Sequence, residues 1–118
     1  MTRLKVSIVF ASGARIGPGK AALLESIRDT GSISAAARGM GMSYKRAWVL
    51  LDSMNQAFAE PVVTAAPGGA GGGGAVLTPF GAEVLERYRR IQDRAAAMAA
   101  DDVAALARRA RPEAGPKI

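Results

Sequence analysis

Gly31-Ser32-Ile33-Ser34-Ala35-Ala36-Ala37-Arg38-Gly39-Met40-Gly41-Met42-Ser43-Tyr44-Lys45-Arg46-Ala47-Trp48 reads as two helices joined by a tight corner. Ser32 can cap a short first helix, in which Ile33, Ala36, Ala37 and Met40 follow the i, i+3, i+4, i+7 spacing of a buried stripe. Small side chains at Ala36 and Ala37 let a second helix approach closely, Gly41 permits the sharp turn, and Met42 plugs the corner. Ser43 then stands as the N-cap of a longer helix running to about Phe58. Ala47, Leu51, Met54 and Phe58 stack on one face of that helix, with Leu50 and Trp48 flanking them. At about 100° per residue, Lys45, Val49, Asp52 and Gln56 rotate to the far side, with Arg46 and Ser53 beside them. Tyr44 turns toward the core side by angle, although a hydroxyl in the first turn can still reach a phosphate. These are the physical requirements of a helix-turn-helix, whose second helix projects its amino-terminal end into a major groove roughly 12 Å wide. Ser43, Lys45 and Arg46 are the residues offered to phosphates and base edges, and Ser32, Ser34, Tyr44 and Val49 complete the candidate DNA-binding set.

Moving outward toward the amino terminus, Lys20 to Thr30 forms an amphipathic helix that buries Ala21, Ala22, Leu23, Leu24 and Ile27 and ends at Gly31. Before it, Leu4 to Phe10 partly alternates and suits a half-buried strand, followed by a turn at Ser12-Gly13. Toward the carboxy terminus, Pro61 closes the recognition helix. Val62 to Ala66 and Ala75 to Leu77 then make a hairpin around the tip Pro67-Gly68-Gly69-Ala70-Gly71-Gly72-Gly73-Gly74. Thr78-Pro79 announces another helix, a threonine cap followed by a proline whose missing N–H costs nothing at the first helical position. From Phe80 onward Val84, Tyr88, Ile91, Ala95 and Met98 keep the alternating spacing of a helix that pairs with a helix. Asp101-Asp102 interrupts that seam, Val103 and Leu106 resume it out of phase, and Arg111-Pro112 ends the order. The expected fold is therefore mainly α with a small β-wing. Its parts are a winged helix-turn-helix over residues 1–80, a long dimerisation helix over 81–111 and a loose tail over 112–118.

Composition narrows the chemistry. The chain has 118 residues and a formal charge of +6, which favours a polyanionic partner because Lys and Arg that neutralise phosphates release counterions. It contains neither cysteine nor histidine, so disulfides, thiolate metal sites and a histidine base are excluded, and no cofactor, metal site or catalytic residue is expected. No apolar run reaches the roughly 20 residues of a membrane span, and the first ten residues lack the long apolar region of a signal peptide. A cytoplasmic protein without membrane contact is the expectation.

From about Leu4 to Ile91 the sequence resembles the amino-terminal DNA-binding domain of the ModE family, the molybdate-responsive repressors, a winged-helix relative of the LysR-type reading heads. The likeness is carried by Ala22-Leu23-Leu24, Gly31-Ser32-Ile33-Ser34 and Ala36-Ala37. It continues in Ser43-Tyr44-Lys45, Ala47-Trp48 and Met54-Asn55-Gln56, then in Gly71-Gly72-Gly73-Gly74-Ala75-Val76-Leu77-Thr78 and Gly81. The resemblance implies that Ser43, Tyr44, Lys45 and Arg46 meet the major groove, and that Gly68, Gly69 and Gly71 to Gly74 belong to the wing. It also implies a homodimer built on the first helix and the helix after Thr78. Ala70 stands near where family members usually carry a lysine, which puts a charged wing contact in doubt. Full-length members continue into two β-barrel domains that bind molybdate, and the chain is expected to lack them, leaving an oxyanion held directly by the basic surface as the residual effector reading.

Rival readings come from the same residues. The helical hairpin could be ordinary core, and the glycine tract could be a phosphate-cradling loop, but Ala75 and Val76 stand where a P-loop needs lysine and a hydroxyl. A plain loop without DNA contact is a further alternative for that tract. Trp48 flanks the apolar face, so core packing is expected rather than base stacking. Arg87, Arg89, Arg90 and Arg94 alternate with Glu83, Glu86 and Asp93 at spacings that suit local pairing, giving a solvated face rather than a basic track. Arg108, Arg109 and Arg111 serve phosphate attraction or solubility. Overall the sequence points to a dimeric bacterial transcription regulator that reads double-stranded DNA, with a protein-interaction module acting on a full-length relative as the alternative.

Overall fold

The computed structural model describes residues 1–67 and 74–112. Their order is β1 (Ile8–Val9), β2 (Arg15–Ile16), α1 (Pro18–Thr30), α2 (Ile33–Gly39), α3 (Tyr44–Ala57), β3 (Val63–Ala66), β4 (Gly74–Leu77) and α4 (Pro79–Ala107). The protein is mainly α with two small antiparallel sheets, β1-β2 and β3-β4, the second being the wing. In the wing Val63 pairs with Leu77 and Ala66 with Gly74. Residues 68–73 and 113–118 lie outside the described set, and with them Gly68, Gly69, Gly71, Gly72 and Gly73 of the expected wing and most of the expected tail.

Three helices pack around one core. Leu23, Leu24 and Ile27 of α1, Ala36 and Ala37 of α2, and Ala47, Leu51 and Met54 of α3 meet there, closed from the far side by Val62, Leu85 and Tyr88. Each large aliphatic chain so buried contributes on the order of 1.5–3 kcal/mol of transfer free energy. At the corner between α2 and α3, Gly41 has a φ of 68°, a left-handed backbone that disfavours any side chain, and the Met42 N–H donates to the Ala37 carbonyl at 3.0 Å. The expected packing of small residues under a tight turn holds in full.

The amino-terminal region differs from the expected single strand. Leu4, Val6, Ile8 and Phe10 are half-buried and Lys5, Ser7 and Val9 exposed, so the alternation is real. Only Ile8–Val9 finds a partner, however, and that partner is Arg15–Ile16, a strand too short to announce itself. Helix α1 begins at Pro18 rather than Lys20, because proline at the first helical position continues from Gly17 without losing a hydrogen bond. Helix α4 runs unbroken through Asp101-Asp102 for 29 residues, about 43 Å at 1.5 Å per residue, and stops at Ala107 rather than near Arg111.

Only the first third of α4 belongs to the core. Gly81 is obligatory there, since a Cβ at that position would fall 1.9 Å from the Val62 carbonyl oxygen. Phe10, Phe58 and Phe80 stack edge to face with centroids 5.3 Å apart, joining the hairpin, the end of α3 and the start of α4. The Tyr88 hydroxyl donates to the Val6 carbonyl at 2.6 Å and ties the amino-terminal segment to α4. Beyond it Ile91, Met98 and Leu106 are exposed. No helix among the described residues is long and apolar enough to cross a membrane.

Candidate nucleic-acid interface

The site is built on the amino-terminal half of α3. The Ser43 hydroxyl accepts the Arg46 N–H at 3.1 Å, fixing the first turn and pointing the remaining free amides outward. Because Ala47, Leu51 and Met54 anchor the opposite face, Ser43, Tyr44, Lys45, Arg46, Trp48 and Val49 are all exposed together. At about 100° per residue they fall into three strips. Lys45 and Val49 run along the centre, Tyr44 and Trp48 lie toward the wing, and Arg46 lies on the opposite flank.

Trp48, expected in the core, is instead 50% exposed, and Tyr44, kept in the DNA-binding set despite its angle, is exposed at 54%. Their angle puts them at the margin of the apolar stripe, where burial depends on whether a neighbour covers them. The wing strands instead stand off and leave a groove of about 340 Å³, bordered by Tyr44, Trp48, Asp52, Asn55 and Thr64. Ser32 fails in the other direction. Its side chain is 0% exposed and its oxygen accepts the Ala35 N–H at 3.1 Å, so it shapes the site from inside rather than lying on it. Ser34 is half-buried.

Charge is distributed to the same effect. Arg87 and Arg90 of α4 pair with Glu83 and Glu86, as their spacing leads one to expect, while Arg89 reaches across to Glu25 of α1. Arg28 pairs with Asp29. Hydrogen bonds and opposite charge raise the guanidinium pKa of Arg28, beside Asp29, and of Arg87, beside Glu83. Lys45 and Arg46 form no ion pair among the described residues, so their field is not cancelled locally.

The wing is locked to this helix pair. The Ala75 N–H donates to the Gly31 carbonyl at 3.0 Å, and Gly74 bridges to Ser32. Gly74 is thus placed at the base of the wing, beside the start of α2.

No protein-family model matches the chain. Individual relatives do. It is 57% identical over 81 residues to the molybdenum-pterin-binding protein MopB of Rhodobacter capsulatus, covering 69% of this chain and 30% of the relative. It is 42% identical over 88 residues to the DNA-binding transcriptional dual regulator ModE of Escherichia coli, covering 72% and 34%. Against the molybdenum transport protein ModE of Azotobacter vinelandii it is 39% identical over 80 residues, covering 68% and 30%. The chain carries a ModE-family amino-terminal domain. The matched stretch spans about a third of the length of these relatives.

Two residues already named in the sequence, Asn55 and Thr78, make contacts in the ModE-type domain that the sequence does not announce. Asn55 accepts the N–H groups of Val62 and Val63 at 2.8 and 3.3 Å and donates to the Val63 carbonyl at 3.2 Å, clamping the end of α3 to the root of the wing. Thr78 caps α4 through the Gly81 N–H at 2.8 Å, as expected, but its hydroxyl also donates to the Pro61 carbonyl at 2.7 Å. The available signal for Asn55 is its position beside the apolar stripe, next to Met54, where an amide can reach a neighbouring backbone.

Proposed function

We propose that this ModE-type domain binds double-stranded DNA sequence-specifically, as a homodimeric bacterial transcription regulator, by inserting the amino-terminal half of α3 into the major groove. The observation that carries the proposal is the α3 outer face, where Lys45 and Arg46 stand exposed and without an ion pair among the described residues, beside exposed Ser43, Tyr44, Trp48 and Val49. Cations in the first turn suit phosphates and guanine edges, whereas the apolar members suit thymine methyl groups. The Escherichia coli relative is a DNA-binding transcriptional dual regulator, which supports the same reading. For the dimer, support comes from α4, where Ile91 and Met98, seven residues apart, are exposed along one face and Leu106 is exposed beyond them. Two recognition helices would then enter successive major grooves roughly 34–36 Å apart on a pseudo-palindromic site.

Selection of bound genomic fragments followed by protection mapping tests the proposal and yields the site, its symmetry and its neighbouring genes. Lys45→Ala is expected to weaken binding. If Lys45 reads guanine, the loss is concentrated on one base position at about 1–3 kcal/mol. An equal loss on every sequence assigns it to phosphate instead. The exposed apolar residues of α4 also favour a second reading, a module that pairs with a full-length relative without using α3. Size-exclusion measurement beside a DNA titration separates the two, because pairing without DNA affinity contradicts the first and supports the second.

A further inference from the structure

On the flank of α3 opposite Trp48, a depression of about 290 Å³ opens between β2, α1 and α3. Three cationic side chains border it, one from each element: Arg15, Lys20 and Arg46. Among the described residues no carboxylate lines it, and neither Arg15, Lys20 nor Arg46 forms an ion pair. Lys20 is held in place, its ammonium donating to the Arg15 carbonyl at 2.9 Å and keeping further N–H donors available. We propose that this depression holds a backbone phosphate of the same duplex that α3 reads, making the amino-terminal hairpin a second DNA-contacting element.

The inference rests on the reading of α3 as the DNA-reading helix. A helix seated in a major groove presents its centre to the base edges and its two flanks to the two phosphate strands that border the groove. Arg46 lies about 100° around α3 from Lys45, on the flank that faces β2 and α1. A backbone passing Arg46 on that side therefore meets Arg15 and Lys20 next. The opposite flank carries Tyr44 and Trp48 and leads to the wing, so the two backbones are met by different chemistry. The class of ligand follows from the donors: an oxyanion accepting from guanidinium and ammonium groups, read without regard to base sequence.

The test uses the full chain with Arg15 and Lys20 both changed to alanine, titrated from about 50 to 200 mM salt against a selected duplex and an unrelated one. Each phosphate contact contributes about 0.9 to the slope of log affinity against log salt, so the slope should become shallower by about 1–2. The ratio of affinities for the two duplexes should stay the same. A slope equal to that of the unchanged chain, or a loss confined to the selected duplex, overturns the inference. Thermal melting checks the fold; if the double variant melts early, Arg15→Glu, which leaves the carbonyl that Lys20 holds, should lower affinity for both duplexes, and unchanged affinity overturns it. Calorimetry with inorganic phosphate and with molybdate separates a free oxyanion from a backbone phosphate. Heat that disappears in the variant while its DNA slope is unchanged assigns the depression to the free ion, against the proposal. If the unchanged chain binds neither duplex at low salt, the reading of α3 falls first and this inference falls with it.

Discussion

On the inner face of α3, Ala47, Leu51 and Met54 are almost wholly withdrawn from water, while on the outer face Tyr44, Trp48 and Val49 each keep about half of their surface exposed, at 54%, 50% and 54%. Both faces carry large apolar side chains, so hydrophobicity alone does not separate them. What separates them is the partner: the inner face has α1 and α2 against it, and the outer face is open, bordered by the wing groove on one flank and a cation on the other. Side chains that gain little from folding yet stand in one patch with free positive charge mark a surface for another molecule. If α3 reads DNA as proposed, one set of residues holds it and another serves its function, so damage to each set should appear in a different measurement.

The largest effect belongs to the inner face. Leu51→Ala should destabilise the domain by about 2–5 kcal/mol in denaturant unfolding, through lost transfer energy and the cavity left behind. The fraction that remains folded should bind DNA with ordinary affinity, and a loss of affinity in that fraction would blur the distinction. Asn55→Ala comes next, at about 1–3 kcal/mol, because three bonds to the Val62-Val63 backbone vanish and the Val62 N–H loses its acceptor. Since the same amide joins α3 to the wing, amide exchange should quicken at Val62 and Val63 before it does in α1.

Tyr88→Phe should remove roughly 1 kcal/mol with the bond to Val6. Burial raises the phenol pKa of Tyr88 above its ordinary value. The folded chain thus keeps that proton at a pH where the unfolded chain has lost it, so this contribution is full below about pH 10 and fades as pH rises through the folded value. The phenylalanine variant should lack that alkaline loss, which melting at pH 9 to 11 would show. The smallest change in stability is expected for Trp48→Ala, within about 0.5 kcal/mol as for other surface positions, accompanied by a clear fall in duplex affinity. A large drop in stability with unchanged affinity would return Trp48 to the core.

How far these features could be read in advance depended on whether the deciding contact was local. The caps at Ser43 and Thr78, the corner at Gly41 and the apolar stripes of α1 to α3 follow from neighbours within one or two turns, and they stand where the residues imply. Strand β2 did not, because two residues carry no period. Trp48 was misplaced because a residue at the margin of a stripe is covered or bare according to where β3 and β4 lie, which is a tertiary matter. Ser32 was placed in the DNA-binding set, yet its side chain is buried, capping α2 beside β4. Gly81 depends on the Val62 backbone brought close by the chain after Pro61, which no local pattern discloses, and for Asn55 only its place beside the apolar stripe hints at the same neighbour.

The chain has a single tryptophan, Trp48, on the α3 outer face, so its emission reports on that surface directly. Titrating the protein with a selected duplex at low salt should quench or shift this emission in a saturable way. The change should reverse as salt rises and demand more duplex in Lys45→Ala and Arg46→Ala. Emission that stays constant across a titration in which binding is shown independently would place the contact elsewhere and contradict the account of α3.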